Sequence, residues 1–397
     1  MSEKELVLVS IYGKDKKGVT ATLTRILADH SVDLINIDQA AAHGRLTIYL
    51  LIGFEKGNSD SDPVMKELLF ESKKMGLNLD FQVYKDEVEP VTKKHKTFAI
   101  TCLGQNVSSS AIAAIAEILA SKNLNIDAIE KLAHKNLSCF EILARTEDSS
   151  IKSKEITRAL LHLNSEFNID IAVQKESIYR RAKRLVVMDM DSTLVQVEVI
   201  DELAKLQNVG EKVSEITERA MNGEIDFTES LRERVALLEG LSENALEEVY
   251  KNIPFTKGAK RLIKVLKKLG YKTAVLSGGF DFFTSRLKEE LGLDYAYSNK
   301  LEIIDGKLTG KVVGEIVTGE RKKELLISIA DELGIPLNQT IAIGDGANDL
   351  PMIAKAGLGI AFNAKPKVRE EAGTFVNSNG LDSILYLLGI NEYDMEV

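Results

Sequence analysis

Asp189 and Asp191 stand one residue apart and are followed at once by Ser192 and Thr193. In an extended segment, residues two apart project to the same side, so both carboxyl groups aim at one point. Two close carboxylates repel unless a cation or a shared proton lies between them, which points to a metal. A lone Asp-x-Asp is also an ordinary turn cap, so other residues must decide its meaning. Ser277-Gly278-Gly279 places a small hydroxyl beside unhindered backbone N–H groups, a combination suited to an oxyanion of phosphate. Gly344-Asp345-Gly346-Ala347-Asn348-Asp349 adds further carboxylates, and Lys322 opens a predicted helix from which an ammonium could reach the same anion. Taken singly, these are a turn, a loop and a solvated lysine. Their order along the chain is what a purely structural account leaves unexplained.

The elements that must carry them have a distinct pattern. Leu185–Met188, Thr273–Leu276, Thr340–Ile343 and Leu358–Ala361 are continuous apolar runs, the signature of strands buried on both faces of a parallel sheet. Helical segments separate them, so the expected class is α/β and doubly wound. The acidic pair, the serine–glycine turn and the Gly-Asp-Gly loop each follow one of the first three runs. They therefore gather at the carboxyl edge of the sheet, where such folds bind ligands. From Leu203 to Asn252 the periodicity is helical only, with Leu231, Val235 and Leu238 on one face. This predicts a helical cap over about 203–255, inserted after the first strand.

Upstream, the order strand–helix–strand–strand–helix–strand occurs twice. The first copy runs from Leu6 to Tyr84 and the second from Thr97 to Val173. Each βαββαβ unit is expected to fold as a ferredoxin-like sandwich. A charged, proline-containing stretch from Asp86 to Lys96 reads as a linker between the copies. The basic cluster Arg180, Arg181, Lys183 and Arg184 reads as a second, solvated linker. The expected domains are thus 1–88, 95–175 and 184–397.

Composition excludes several classes. A formal charge of −9 over 397 residues, with no basic stripe, argues against a nucleic-acid partner. The apolar stretch Leu46–Phe54 is far shorter than the about 20 residues needed to span a bilayer. The first residues carry charge where a signal peptide needs an apolar run, so the expectation is a cytoplasmic protein without a membrane role. Cys102 and Cys139, the only cysteines, sit in apolar segments and read as buried free thiols rather than as zinc ligands or a disulfide.

From about Leu185 to its end the chain resembles the haloacid dehalogenase superfamily, on Asp189-Met-Asp-Ser-Thr-Leu-Val, Leu276-Ser-Gly-Gly-Phe-Asp, Lys322 and Ile343-Gly-Asp-Gly-Ala-Asn-Asp. The tandem βαββαβ units resemble ACT domains, which sense amino acids. The first resemblance implies hydrolysis of a phosphate ester through an aspartyl-phosphate, with phosphoserine as substrate in the last step of serine biosynthesis. It implies Asp189 as nucleophile, Asp191 as acid and then base, and Lys322, Ser277, the Gly278 N–H and Asn348 around the phosphate. Mg²⁺ would be held by Asp189, Asp345 and the carbonyl of Asp191, with Asp349 supporting from behind. Glu198 and Arg234 would take the substrate's ammonium and carboxylate, and Phe227 and Met221 would line the cap. Arg232 competes with Arg234, but a helix turn places the two on different faces. Phosphoryl transfer from phosphoserine to another alcohol, such as homoserine, is the alternative reaction. The ACT-like units imply either a dimer scaffold or an L-serine sensor in a homodimer. The loop Asp15-Lys16-Lys17-Gly18-Val19 is the better candidate for a sensor site than Gly104-Gln105-Asn106-Val107-Ser108.

Overall fold

The computed structural model describes residues 4–55, 61–84, 95–133, 135, 137–377 and 380–395. The expected linker from Asp86 to Lys96 lies outside these residues as far as position 94. Tertiary contacts divide the chain into two units, 1–93 and 94–397.

In the first unit, β1 (Lys4–Lys14), α1 (Val19–Asp29), β2 (Asp33–Ala42), β3 (Arg45–Glu55), α2 (Ser61–Lys74) and β4 (Leu77–Tyr84) follow the expected βαββαβ order. The four strands form an antiparallel sheet in the order β2-β3-β1-β4. Period-two alternation sends Val9, Ile11, Ile48, Leu50 and Ile52 to the face that α1 and α2 cover, where Leu23 and Leu68 complete a dry core.

The second unit opens with another copy: β5 (Lys96–Gly104), α3 (Ser109–Ser121), β6 (Asn125–Ala133), β7 (Ser138–Thr146), α4 (Ser153–Phe167) and β8 (Asp170–Lys175), in sheet order β6-β7-β5-β8. Ser108 caps α3 by accepting the Ala111 N–H at 3.2 Å, and Asn168 closes α4 in the left-handed conformation. Cys102 and Cys139 are buried and unbridged, and burial raises the Cys102 thiol to about 12.

Then come β9 (Leu185–Met188) and four cap helices, α5 (Val199–Leu206), α6 (Gly210–Met221), α7 (Phe227–Ala236) and α8 (Glu243–Asn252). They are followed by α9 (Ala259–Lys268), β10 (Lys272–Phe280), α10 (Asp281–Leu291), β11 (Tyr295–Ile304), β12 (Lys307–Val313), α11 (Gly319–Glu332) and β13 (Thr340–Gly344). Next come α12 (Leu350–Lys355), β14 (Leu358–Phe362), α13 (Pro366–Ala372), β15 (Phe375–Val376) and the short α14 (Ile384–Leu387). The strands join in one seven-stranded sheet, β12-β11-β10-β9-β13-β14-β15, parallel except for β12 against β11. The protein is therefore α/β, a doubly wound core with a helical cap, preceded by two ferredoxin-like units.

Two expectations are corrected. The segment between α10 and α11 contains the hairpin β11–β12 instead of helix alone. Its strands are half-exposed and mixed in polarity, unlike the continuous apolar runs of the buried strands. Asp305-Gly306, both at positive φ (50° and 71°), is the turn that supports it. The hairpin reaches the cap, where Leu308 exchanges backbone hydrogen bonds with Gly240 (2.8 Å) and Leu241 (2.9 Å).

The basic cluster is solvated only in part: Arg181 and Arg184 are exposed, but Arg180 and Lys183 are buried. Arg180 is 2 % exposed and grips Glu141 of β7 with two hydrogen bonds, of 2.7 and 3.0 Å. Glu176 accepts from its Nε at 2.6 Å, and Arg181 also reaches Glu141 at 2.8 Å. Lys183 is buried on the carbonyl of Asn338 at 2.6 Å. The second ferredoxin-like copy is thereby fixed to the α/β core. Leu103, Leu132, Ala133, Cys139 and Ala172 share one apolar cluster with Val186, Leu262 and Leu385. Gln174 donates to the Leu387 carbonyl at 2.7 Å, and Asp170 accepts the Asn377 N–H.

Candidate active site

Asp189 directly follows β9, and its N–H continues the ladder to the Ile343 carbonyl of β13 at 2.9 Å. The chain then turns sharply through Ser192, which adopts a left-handed conformation with φ 55°. That turn returns Asp191 toward the sheet edge. Its Oδ1 accepts the Val199 N–H at the head of α5 at 2.9 Å, and its Oδ2 accepts from the Ser277 hydroxyl at 3.3 Å. Ser277 Oγ in turn accepts the Gly279 N–H at 2.8 Å. A Cβ on Gly279 would lie 2.8 Å from Asp191 Oδ2, so only glycine lets these two loops approach.

Lys322, in the first turn of α11, is wholly buried. Its Nζ sits 2.9 Å from Asp189 Oδ1 and 2.7 Å from Asp349 Oδ1. Asp349 Oδ2 accepts the Gly346 N–H at 3.1 Å, and a Cβ on Gly344 would lie 2.4 Å from the Asp349 carboxyl carbon. Thr193, which the sequence reading left without a role, donates to Asp345 Oδ1 at 3.1 Å. Its place in the run Asp189-Met190-Asp191-Ser192-Thr193 was the available signal. Among the described residues, one group of three acidic side chains offers ligand atoms within 4.8 Å of one another: Asp189, Asp345 and Asp349.

Asp189, Asp191, Gly278, Asp345 and Asn348 line the floor of a cavity of about 1610 Å³, whereas the wholly buried Thr193, Ser277, Lys322 and Asp349 do not line it. Glu198, Asp201, Met221, Phe227, Ser230 and Arg234 line its cap side. Glu198 accepts the Ser192 hydroxyl at 2.9 Å. Arg234 is half-buried and donates from Nε to the Ser230 carbonyl at 3.3 Å, whereas Arg232 is exposed and does not line the cavity. The ring of Phe227 covers Gly278, and Met221 is 65 % exposed at the rim. Asp201 was not among the expected site residues. Asp201 lies one helical turn past Glu198, close enough for its charge to act on Arg234.

The electrostatics follow from burial. Desolvation and the charges of Asp349, Asp191 and Asp345 push Asp189 well above the usual carboxylate range, against the pull of Lys322. Burial, and then Glu198, raise Asp191 to about 7. Burial, and then Asp349, raise Asp345 to about 7. Burial alone would lower Lys322, but Asp189 and Asp349 outweigh it and hold the ammonium charged. One cation cannot neutralise four carboxylates in a dry site. The oxygen-only donor set, with Lys322 already committed, fits a divalent ion. Asp189 and Asp345 offer the free oxygens, while both oxygens of Asp349 are engaged.

Residues 183–357 match the haloacid dehalogenase-like hydrolase family, and residues 5–82 and 96–174 each match an ACT domain family. The whole chain is 42 % identical to phosphoserine phosphatase of Streptomyces coelicolor, over 95 % of that protein. It is 38 % identical to phosphoserine phosphatase SerB2 of Mycobacterium tuberculosis, the match covering the whole chain and 96 % of that protein. Among solved structures, a hydrolase of the same superfamily from Salmonella enterica serovar Typhi aligns with TM-score 0.63 and 32 % identity, over 73 % of this chain and 98 % of that one. A probable phosphoserine phosphatase from Vibrio cholerae aligns with TM-score 0.58 and 35 % identity, over 78 % and 91 % of the respective chains.

Proposed function

This chain belongs to the phosphoserine phosphatase family of haloacid dehalogenase-like hydrolases, and from that premise we propose how its own residues hydrolyse phosphoserine. The observation that carries the reading is Asp189. Its Oδ1 is held 2.9 Å from the buried ammonium of Lys322, at the floor of a cavity whose other wall presents Glu198 and Arg234.

Asp189 attacks phosphorus, and the bond between phosphorus and the serine oxygen breaks. Asp191, which burial leaves a ready proton donor, protonates the departing oxygen. Asp191 then takes a proton from water, whose oxygen displaces Asp189 from phosphorus and releases phosphate. Ser277, the Gly278 N–H, Asn348 and Lys322 hold the phosphate oxygens. Arg234 holds the substrate carboxylate with its planar fork, Glu198 holds the ammonium, and Phe227 and Met221 close over the carbon chain. Asp189, Asp345 and the Asp191 carbonyl are the ligands proposed for Mg²⁺, which when bound neutralises charge on the transferring group. Hydrolysis is favoured over transfer to a second alcohol, because the full-length relatives bear the name phosphatase.

The ACT units imply amino-acid binding, and L-serine at the first unit is the proposed effector. Gly18, at φ 89°, starts α1 without a side-chain cap, so the first N–H groups of that helix can meet a carboxylate. Calorimetry with millimolar L-serine tests this: no heat and unchanged turnover leave a scaffold role. A homodimer in the cytoplasm is proposed alongside it. Among the described residues no helix is long and apolar enough to cross a membrane. Light scattering and cell fractionation check both.

Phosphate release from a panel of phosphate esters, with and without Mg²⁺, tests the main reading. Phosphoserine is expected to be the best substrate, and Asp189→Asn to lower its turnover by about 10³-fold or more. Retained turnover in that variant removes Asp189 as nucleophile.

A further inference from the structure

Asn299 lies on β11, wholly buried and outside every motif singled out above. The parallel ladder between β10 and β11 pairs Leu276 with Tyr297 and next Phe280 with Asn299, so residues 277–279 bulge out of it. A bulge leaves backbone groups without ladder partners, and a buried carbonyl without a donor is costly. The side chain of Asn299 supplies what the ladder lacks. Its Nδ2 donates to the Gly278 carbonyl at 2.7 Å, and its Oδ1 accepts the Val317 N–H at 2.8 Å. A carbonyl on one side and an N–H on the other leave only one orientation of the amide.

Both anchored segments are functional. Gly278 belongs to the serine–glycine turn that presents N–H groups to phosphate. Val317 directly precedes Thr318, whose hydroxyl caps α11 by accepting the Arg321 N–H at 3.2 Å. Lys322 stands one residue further on, and its N–H bonds the Thr318 carbonyl at 2.9 Å. One fully buried amide therefore ties the segment carrying the N–H donors to the segment carrying the ammonium.

We propose that Asn299 is a positioning residue that sets the spacing between the phosphate-binding turn and Lys322, and that it does so without touching substrate. This rests on the phosphatase reading above. A phosphate held by both segments senses their separation, and misplacement by an ångström is enough to cost a large factor in rate. The moiety recognised is the phosphate, so the effect is blind to the rest of the substrate.

The test uses Asn299→Asp, which is nearly isosteric. It keeps the acceptor for Val317 but replaces the donor to Gly278 with an oxygen that repels the carbonyl. Expected is a loss of kcat/KM of tenfold or more, equal for phosphoserine and p-nitrophenyl phosphate. Inhibition by inorganic phosphate should weaken by a comparable factor in protein shown to be folded by circular dichroism. Asn299→Ser carries the same measurement if the Asp variant does not fold. A lowered melting temperature with kcat/KM within twofold of the parent overturns the proposal, as does a loss confined to phosphoserine. The parent enzyme assayed alongside separates the two claims. If it hydrolyses neither ester, the proposed function fails. If it is active and the variant equally so, only the role of Asn299 fails.

Discussion

At the scale of residues, the site is a problem in charge. Asp189, Asp191 and Asp349 are almost wholly sealed from water, and one ammonium lies among them. A divalent cation that binds only this arrangement stabilises the fold by mass action, about 2.7 kcal/mol at a hundred times its dissociation constant. Adding Mg²⁺ to chelator-treated protein should therefore raise the melting temperature. Asp345→Asn should abolish that rise, because it removes a proposed ligand that has a free oxygen. Across the cavity, Arg234 and Glu198 would discriminate substrate from other phosphate esters. Arg234→Ala is expected to raise KM for phosphoserine about tenfold to a hundredfold, the worth of one hydrogen-bonded charge pair. It should leave p-nitrophenyl phosphate, which has no carboxylate, nearly unaffected. Equal losses on both would remove Arg234 from carboxylate recognition.

At the scale of elements, β10 must arrive at the sheet edge in register for Ser277 to face Asp191. Its start is pinned by Asp294, whose Oδ2 accepts the Thr273 N–H at 2.9 Å and whose Oδ1 meets Lys272 at 2.9 Å. Burial raises this carboxyl, but the bonds from Lys272 and Thr273 outweigh it and hold it below its ordinary value. A depressed carboxyl stabilises the fold above its unfolded pKa, and the benefit fades as pH falls through the folded one. Asp294→Asn should thus cost about 1 kcal/mol near neutrality. Urea unfolding should show the difference between variant and parent shrinking as pH falls below the ordinary aspartate value of 3.8. A difference that persists unchanged in acid contradicts this account.

At the scale of the molecule, the second ferredoxin-like copy is built into the catalytic unit. Its apolar face completes the core of the α/β sheet, and Arg180 and Glu141 are both about 1 % exposed at the junction. Removing Glu141 leaves the buried Arg180 with Glu176 as its remaining partner, at a cost of up to about 3–5 kcal/mol. Glu141→Ala should therefore lower the stability of residues 94–397 as a whole. Calorimetry is expected to show one transition for this unit moving down, not a separate early melt of 95–175. Two resolved transitions would mean that the copy is only docked.

The sequence by itself determined the order of the buried parallel strands and which residues follow each of them. Continuous apolar runs at 185–188, 273–276 and 340–343 read as buried parallel strands, which places the residues after each at the ligand edge. Those are local properties, readable because backbone periodicity repeats over two to four residues. The hairpin β11–β12 was legible only in its Asp305-Gly306 turn, since half-exposed strands lack a continuous apolar run. What only the tertiary structure decided is which polar groups meet. Arg180 looks like a solvated linker residue until Glu141, 39 positions earlier, faces it. Asn299 looks like an ordinary strand residue until the bulge at 277–279 exposes a carbonyl beside it. A buried charge or amide takes its meaning from partners that folding brings within 3 Å, and low dielectric makes that pairing decisive. No chain-local pattern encodes that distance.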